Sequence, residues 1–271
     1  PKEKRTAEKK IVTGEKGTIA IFDTCSFSPV KIEDVDISVT EAFDVEDMLD
    51  LGLTTTDVNG NCLASAGMIK IDAQYKGISI DINPSCPATI KIPYEKFDPE
   101  MKLYNSQISD NGISWKQTNK NLTSDSTNRY YEFPMDELKY VNVDKPSPYN
   151  DNFNQPGKFA SFIAEIFGTK YAGVVVKTPA FSSRKILLTN EAFNSVQKGR
   201  SINKRLCNIN GCNAGRESSL VVSGNLNGKK YYLDVPLENV KYKTWRGIYK
   251  LRKKDFIMNP EQHRNYSQNI R

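Results

Sequence analysis

Hydrophobic and polar residues alternate along most of this chain with the period of two that is typical of half-buried β-strands. Clear examples are residues 35–39, 68–75 and 78–82. The last two runs flank Lys76-Gly77, which predicts a hairpin because glycine tolerates the positive φ of a tight turn. Asn-Gly pairs mark further tight turns at Asn59-Gly60, Asn111-Gly112 and Asn227-Gly228.

Strand-like runs recur on both sides of a polar, aperiodic stretch at 118–128. A chain of 271 residues is long enough for two ordinary hydrophobic cores. We therefore predict an all-β protein with two tandem antiparallel β-sandwich-like domains, short helical turns and flexible basic termini. The predicted divisions are a charged N-terminal tail at 1–16, a first β-domain at 17–118, a linker at 119–129, a second β-domain at 130–242 and a basic C-terminal tail at 243–271.

Two segments depart from the strand pattern. Residues 45–51 indicate a short helix with Asp44 as its N-cap. In residues 159–167, from Phe159 to Phe167, the apolar side chains fall at helical spacing, which favours an amphipathic helix. A strand is the alternative for this second segment.

Charge and hydropathy limit the classes of function that fit this sequence. The net charge is +6, and basic residues gather near the two ends of the chain, which favours an acidic partner. No window approaches the roughly eighteen apolar residues of a membrane-spanning helix, so no transmembrane segment is expected. The chain begins at Pro1, which fits either a processed mature protein or a fragment.

The sequence contains little that indicates catalysis. His263 is the sole histidine, which disfavours Ser-His-Asp triads, Cys-His pairs and multi-histidine metal sites. Residues 57–61 space oxygen ligands as a calcium loop does, but the glycine position and the missing glutamate favour a plain hairpin turn. We therefore expect no enzyme, no cofactor and no metal. A hydrolase whose site uses carboxylates only is a further alternative.

The region from Gly17 to Trp115 contains a series of short motifs in a fixed order: Gly17-Thr18-Ile19 to Phe27, Leu53-Thr54-Thr55-Thr56, Gly67-Met68-Ile69, Lys91-Ile92-Pro93, Met101-Lys102-Leu103-Tyr104 and Trp115. In this order of motifs the region resembles a β-domain that is common in envelope proteins of the Bacteroidetes and is distantly similar to the ZU-type domains of ankyrins and netrin receptors. Phe133 and residues 140–144, Tyr-Val-Asn-Val-Asp, resemble a signature after which a second β-domain often follows in that family.

This resemblance implies an exported protein in the periplasm or at the cell surface, associated with the outer membrane, without catalytic residues. We expect a non-enzymatic binding or scaffold protein, an accessory subunit of a cell-surface, secretion or gliding-motility assembly. Envelope proteins are the expected partners. The alternative is a surface module that binds carbohydrate or peptidoglycan.

Aromatic and basic residues interleave near the C-terminus and form the candidate partner-binding set. Stacking on single-stranded nucleic acid is one interpretation, but an exported protein meets acidic surfaces and proteins more often, so no nucleic acid is expected. The set could also simply close the second domain. Residues 255–271 are predicted to be flexible, so truncation after Asp255 should leave the melting temperature nearly unchanged. The candidates are Tyr242, Trp245, Arg246, Tyr249, Lys250, Arg252, Lys253 and Lys254.

The chain has five cysteines, so at least one is expected to be free or to pair with another chain. Export would place them in an oxidising compartment. Cys207 and Cys212 flank the turn-forming residues Asn-Ile-Asn-Gly, which predicts a disulfide between them. Closing so small a loop would stabilise the fold by about 2 kcal/mol.

Overall fold

A computed structural model of the chain describes residues 9–109, 112–147, 173–210, 217–243 and 248–258. Strands dominate these residues, so the all-β prediction is confirmed. One α-helix is present in the described chain, α1 (Val45–Asp50), and its predicted cap is also confirmed. The Asp44 carboxylate accepts the Asp47 backbone N–H at 2.8 Å, and the Asp47 side chain accepts the Asp44 N–H in return. The described residues also contain three 3-10 turns, at Ile32–Asp34, Leu237–Asn239 and Lys253–Asp255.

Two sheets form the first sandwich. Their strands are β1 (Lys10–Thr13), β2 (Ile19–Phe22), β3 (Val35–Ala42), β4 (Leu63–Tyr75), β5 (Ile78–Ser79), β6 (Ala88–Pro93), β7 (Lys102–Ser109), β8 (Gly112–Gln117), β9 (Thr123–Asp125), β10 (Tyr130–Met135) and β11 (Tyr140–Pro146). One sheet has the strand order β1-β2-β6-β10-β9, and the other has the order β3-β4-β11-β7-β8 with β5 paired to β4.

The alternating positions of these strands build a single core. On β6, Ala88, Ile90 and Ile92 are buried while the intervening residues are partly exposed. They pack with apolar side chains from the second sheet, including Ile71 and Val143. The predicted hairpin at Lys76-Gly77 is present as the β4–β5 pairing, although β5 is only two residues long.

A disulfide bond closes one end of this sandwich. Cys25 lies just after β2 and Cys86 just before β6, with a separation of 61 residues in the chain. A cross-link that closes so long a loop restricts the unfolded chain and stabilises the folded one. It joins two loops that the sequence pattern does not relate.

The second sandwich also has two sheets. Its strands are β12 (Gly173–Lys177), β13 (Ser183–Asn190), β14 (Ser195–Lys198), β15 (Arg200–Ser201), β16 (Leu206–Asn210), β17 (Ser218–Leu226), β18 (Lys229–Pro236), β19 (Tyr242–Lys243), β20 (Ile248–Lys250) and β21 (Ile257–Met258). The strand orders are β15-β16-β12-β20-β19 in one sheet and β14-β13-β17-β18-β21 in the other. The pairing is antiparallel except between β12 and β20, which are parallel. The core lies between the two sheets and includes Val176, Leu188, Leu220 and Phe256.

The predicted division at 119–129 is wrong. The supposed linker contains β9, which pairs with β10 at the edge of the first sandwich. The strands β10 and β11, predicted to open the second domain, insert into the two sheets of the first, beside β6 and β7 respectively. The polar composition at 118–128 instead reflects an exposed edge strand and its turn.

One early segment belongs to the second compact unit instead of the first. Residues 44–64 cluster with residues 146 onward, together with 108–114. The Thr55 backbone N–H donates to the Val196 carbonyl at 2.8 Å, and the Gln197 side-chain amide donates to the Thr55 carbonyl at 3.0 Å. The segment around Thr55 therefore forms hydrogen bonds with residues of the edge strand β14.

The predicted flexible termini are also wrong over the residues that the structure describes. Near the N-terminus β1 pairs with β2, and the Lys10 ammonium donates to the carbonyls of Ile32 and Val35. Near the C-terminus β20 belongs to one sheet of the second sandwich and β21 belongs to the other. Leu251 and Phe256 in the same segment are buried. Apolar residues thus anchor both basic segments. The segment 159–167 lies outside the described residues.

Candidate partner-binding groove

The β17–β18 hairpin extends beyond the second core. Its turn is Asn227-Gly228, where both residues have positive φ, as the sequence predicts. Tyr231 faces the core and is 5% exposed. Leu226 and Lys229, which are paired across the hairpin, lie on the same face nearer the turn, and Leu226 packs against the edge of the core. Lys229 is exposed.

The last described segment of the chain forms the other side. The 3-10 turn Lys253–Asp255 is followed by Phe256, which is buried in the core, and then by β21. In the pairing of β21 with β18, Met258 lies opposite Tyr231. Together these elements enclose a groove of about 560 Å³, which we call the lysine groove. Its lining residues are Leu226, Asn227, Lys229, Tyr231, Lys253, Lys254 and Met258.

The charge of the groove is uncompensated. Among the described residues, Lys229, Lys253 and Lys254 form no ion pair with a carboxylate. The nearby carboxylate of Asp255 is engaged by Arg252, whose guanidinium lies 3.5 Å away and whose backbone N–H donates to it at 2.6 Å. Three lysines therefore line one groove without a counter-ion among the residues that the structure describes.

The floor of the groove is apolar and aromatic. The Lys253 Nζ atom lies 5.7 Å from the centre of the Tyr231 ring, within the range of a cation–π contact. Leu226 is partly buried and Met258 is 49% exposed, so both offer apolar surface. The arrangement suits a ligand that carries negative charge beside an apolar group.

The structure brings together only part of the predicted partner-binding set. Lys253 and Lys254 line the groove, and Arg252 lies beside it, paired with Asp255. Tyr249 and Lys250 lie on β20, where Tyr249 packs against the core, and Tyr242 lies on β19 opposite Tyr249. Trp245 and Arg246 lie outside the described residues.

Sequence reasoning missed Lys229, Tyr231 and Met258, which share the groove with the C-terminal lysines. Lys229 lies 24 positions before Lys253 in the chain, so no local pattern relates the two. The signal in the sequence for these residues was the Asn227-Gly228 turn, because a hairpin that extends beyond the core exposes the residues on either side of its turn.

The predicted Cys207–Cys212 disulfide is wrong, because Cys207 is a free thiol. Its side chain points from β16 into the second core, where burial raises its pKa to about 11, partly offset by the nearby Arg184 guanidinium. Cys212 lies outside the described residues. The disulfides instead involve Cys25 with Cys86, and Cys62 is also disulfide-bonded.

The segment that resembled a calcium loop is a hydrogen-bonded turn. The Asp57 carboxylate accepts the backbone N–H groups of Asn59 and Asn61 at 2.9 and 2.7 Å, and the Asn61 side-chain amide at 2.9 Å. Its oxygens are thus engaged by local donors, as the hairpin interpretation requires. Among the described residues no group of three acidic, histidine or cysteine side chains is arranged to hold a metal ion.

A buried polar cluster occupies the first sandwich. On β11, Asn142 and Asp144 face away from the core residues Val141 and Val143 and are completely buried. The Ser65 hydroxyl donates to the Asn142 carbonyl oxygen at 2.9 Å, and the Asn142 amide donates to the Asp144 carboxyl group. Burial raises the pKa of Asp144 well above its usual range, and the hydrogen bond from Ser65 lowers it only in part.

No protein-family model, curated protein or solved structure matches this chain. None of the described helices is long and apolar enough to cross a membrane.

Proposed function

We propose that this protein is a non-enzymatic binding or scaffold protein that engages an acidic partner through the lysine groove. The observation that carries the proposal is the set of three lysines that line the groove with Tyr231, none paired with a described carboxylate. Like charges held close together repel, and a matching anionic surface relieves that repulsion and guides association.

The disulfides support an exported protein of the cell envelope, in the periplasm or at the cell surface. The Cys25–Cys86 bond and the oxidised state of Cys62 are typical of oxidising compartments and rare in the cytosol. The sequence resemblance to envelope β-domains of the Bacteroidetes points to the same compartment. In this proposal the protein is an accessory subunit of a cell-surface, secretion or gliding-motility assembly.

Carbohydrate or peptidoglycan binding has less support. A sugar-binding platform needs exposed aromatic rings grouped on one face. Among the described residues, the exposed aromatic rings are those of Phe97 and Phe193, and they belong to different sandwiches. Neither ring lines the lysine groove.

The test is cross-linking in the cells that produce the protein, followed by identification of the captured partner. The groove variant carries Lys253→Glu and Lys254→Glu. The matched control carries Lys230→Glu, a charge reversal at an exposed lysine that does not line the groove. We expect the wild type and the control to capture the same acidic envelope protein and the groove variant to lose it. Capture that is indifferent to the groove variant would refute the proposal.

A further inference from the structure

We infer that the lysine groove recognises an extended acidic peptide segment that adds to β21 as a further strand and places one apolar side chain between two carboxylates. This inference rests on the proposed function and specifies the chemistry of the partner. It follows from the charge of the groove, its floor and the position of β21 in the sheet.

The positive charge of the groove requires a ligand that carries negative charge. The apolar floor requires that the ligand also carry an apolar group. Lys229 and Lys254 present ammonium groups, and Lys253 lies over the Tyr231 ring. A simple anion or a wholly hydrophilic anionic glycan would leave the apolar surface of Leu226 and Met258 in contact with water. A peptide with an apolar residue between acidic residues satisfies both the ammonium groups and this surface.

The edge of the sheet supplies the backbone contacts. Among the described residues β21 ends the order β14-β13-β17-β18-β21, so one of its edges carries no neighbouring strand there. Such an edge presents backbone N–H and C=O groups that an extended peptide can pair with. This feature favours a peptide over a glycan, which has no backbone to continue the ladder.

The pleat of the sheet then determines how the acidic and apolar side chains are spaced along the peptide. Ile257 and Met258 are equally exposed, at 49%, but only Met258 lines the groove, because successive side chains of a strand point to opposite faces. A strand added beside β21 keeps this alternation. The carboxylates and the apolar side chain must therefore occupy positions i, i+2 and i+4 of the peptide.

The test uses two fluorescein-labelled heptapeptides of identical composition, with the full chain as the receptor. In Thr-Glu-Thr-Leu-Thr-Glu-Thr the acidic and apolar side chains share one face, whereas in Thr-Thr-Glu-Leu-Glu-Thr-Thr they lie on opposite faces. Fluorescence anisotropy should show that the first peptide binds at least about tenfold more tightly, and that its affinity falls as salt rises. Equal binding of the two peptides would overturn the inference.

Protein variants and a modified peptide separate the contributions of the lysines, the apolar floor and the backbone hydrogen bonds to peptide binding. We expect Lys253→Glu with Lys254→Glu to weaken binding of the first peptide by at least about tenfold, and Lys230→Glu to change it less than about twofold. Met258→Ser should weaken binding by about fivefold, whereas Ile257→Ser on the opposite face should not. A first peptide whose backbone nitrogens are methylated should not bind, because it cannot pair with a strand edge.

The outcomes distinguish this inference from the proposed function. Groove-dependent capture of a partner in cells, without binding of the first peptide, would overturn the strand-addition inference and leave the proposed function in place. Groove-dependent binding of polygalacturonate with no binding of the peptides would favour an anionic glycan and overturn the inference. Loss of groove dependence in both experiments would overturn both proposals.

Discussion

The ring of Phe256 stands nearly edge-on to the ring of Phe181, with the ring centroids 5.3 Å apart and the planes at 75°. Phe181 also contacts Tyr231, at a centroid distance of 6.0 Å. These contacts connect the floor of the lysine groove to the core of the second sandwich. The segment that carries Lys253 and Lys254 is therefore held in place by Phe256.

This contact predicts that Phe256→Ala lowers the free energy of unfolding by about 3 kcal/mol, through lost burial and the cavity that remains. Truncation after Asp255 should lower the melting temperature by several degrees, in contrast to the expectation from composition alone. Thermal denaturation measures both effects. The control is Ile257→Ala, because Ile257 is half-exposed and contributes little to the core. Unchanged melting of the Phe256 variant would show that this ring does not anchor the segment.

The Cys25–Cys86 bond should be the main covalent support of the first sandwich. Replacing both cysteines with serine should lower its free energy of unfolding by about 4 kcal/mol, because the reduced chain regains the entropy of a loop of about 60 residues. Urea denaturation of the wild type and the double variant measures the difference. Cys207→Ala serves as a control for loss of a thiol that is not cross-linked. The prediction fails if the two proteins denature at the same urea concentration.

Asp144 predicts a pH-dependent stability. Its folded-state pKa is raised above the unfolded value, so its contribution to stability is complete below about pH 4 and is lost as pH rises through the raised pKa. Asp144→Asn keeps a neutral, similarly shaped side chain at every pH. The variant should therefore match the wild type near pH 4 and gain stability relative to it towards neutral pH.

Urea denaturation from pH 4 to pH 8 tests this expectation. The control is Asp36→Asn, an exposed change on β3 that should reproduce the pH profile of the wild type. A constant stability difference between the Asp144 variant and the wild type across this range would mean that the buried carboxyl group does not titrate on unfolding.

Arg184 fixes the loop between β15 and β16. Its guanidinium donates to the Thr178 hydroxyl at 2.7 Å and to the Leu206 carbonyl at 2.6 Å, and further to the carbonyls of Asn203 and Lys204. Arg184→Met should lower the free energy of unfolding of the second sandwich by about 2 kcal/mol, because the carbonyl groups of Asn203 and Lys204 lose the guanidinium as a donor. Chemical denaturation measures the loss. Arg200→Met, at an exposed position on β15, should have no comparable effect, and an equal loss there would contradict this role.

Local patterns in the sequence determined the type of many of the elements within the two sandwiches. The period-two alternation fixed the strands because one face of each is buried, as at Ile90 and Ile92. The Asn227-Gly228 turn and the Asp44 cap were predictable because backbone dihedrals and first-turn hydrogen bonds depend on residues a few positions apart. The concentration of basic residues near the C-terminus also directed attention to Lys253 and Lys254.

The tertiary structure alone decided how these elements combine. Nothing local assigns β10 and β11 to the first sandwich, pairs Cys25 with Cys86, or places Lys229 beside Lys253. Alternation shows that a strand has a buried face but not which sheet buries it, and a cysteine's partner depends on which loops the packed sheets bring together. These pairings depend on contacts between residues that are distant in the chain. Such contacts stabilise the fold only once the core of the sandwich that contains them has packed.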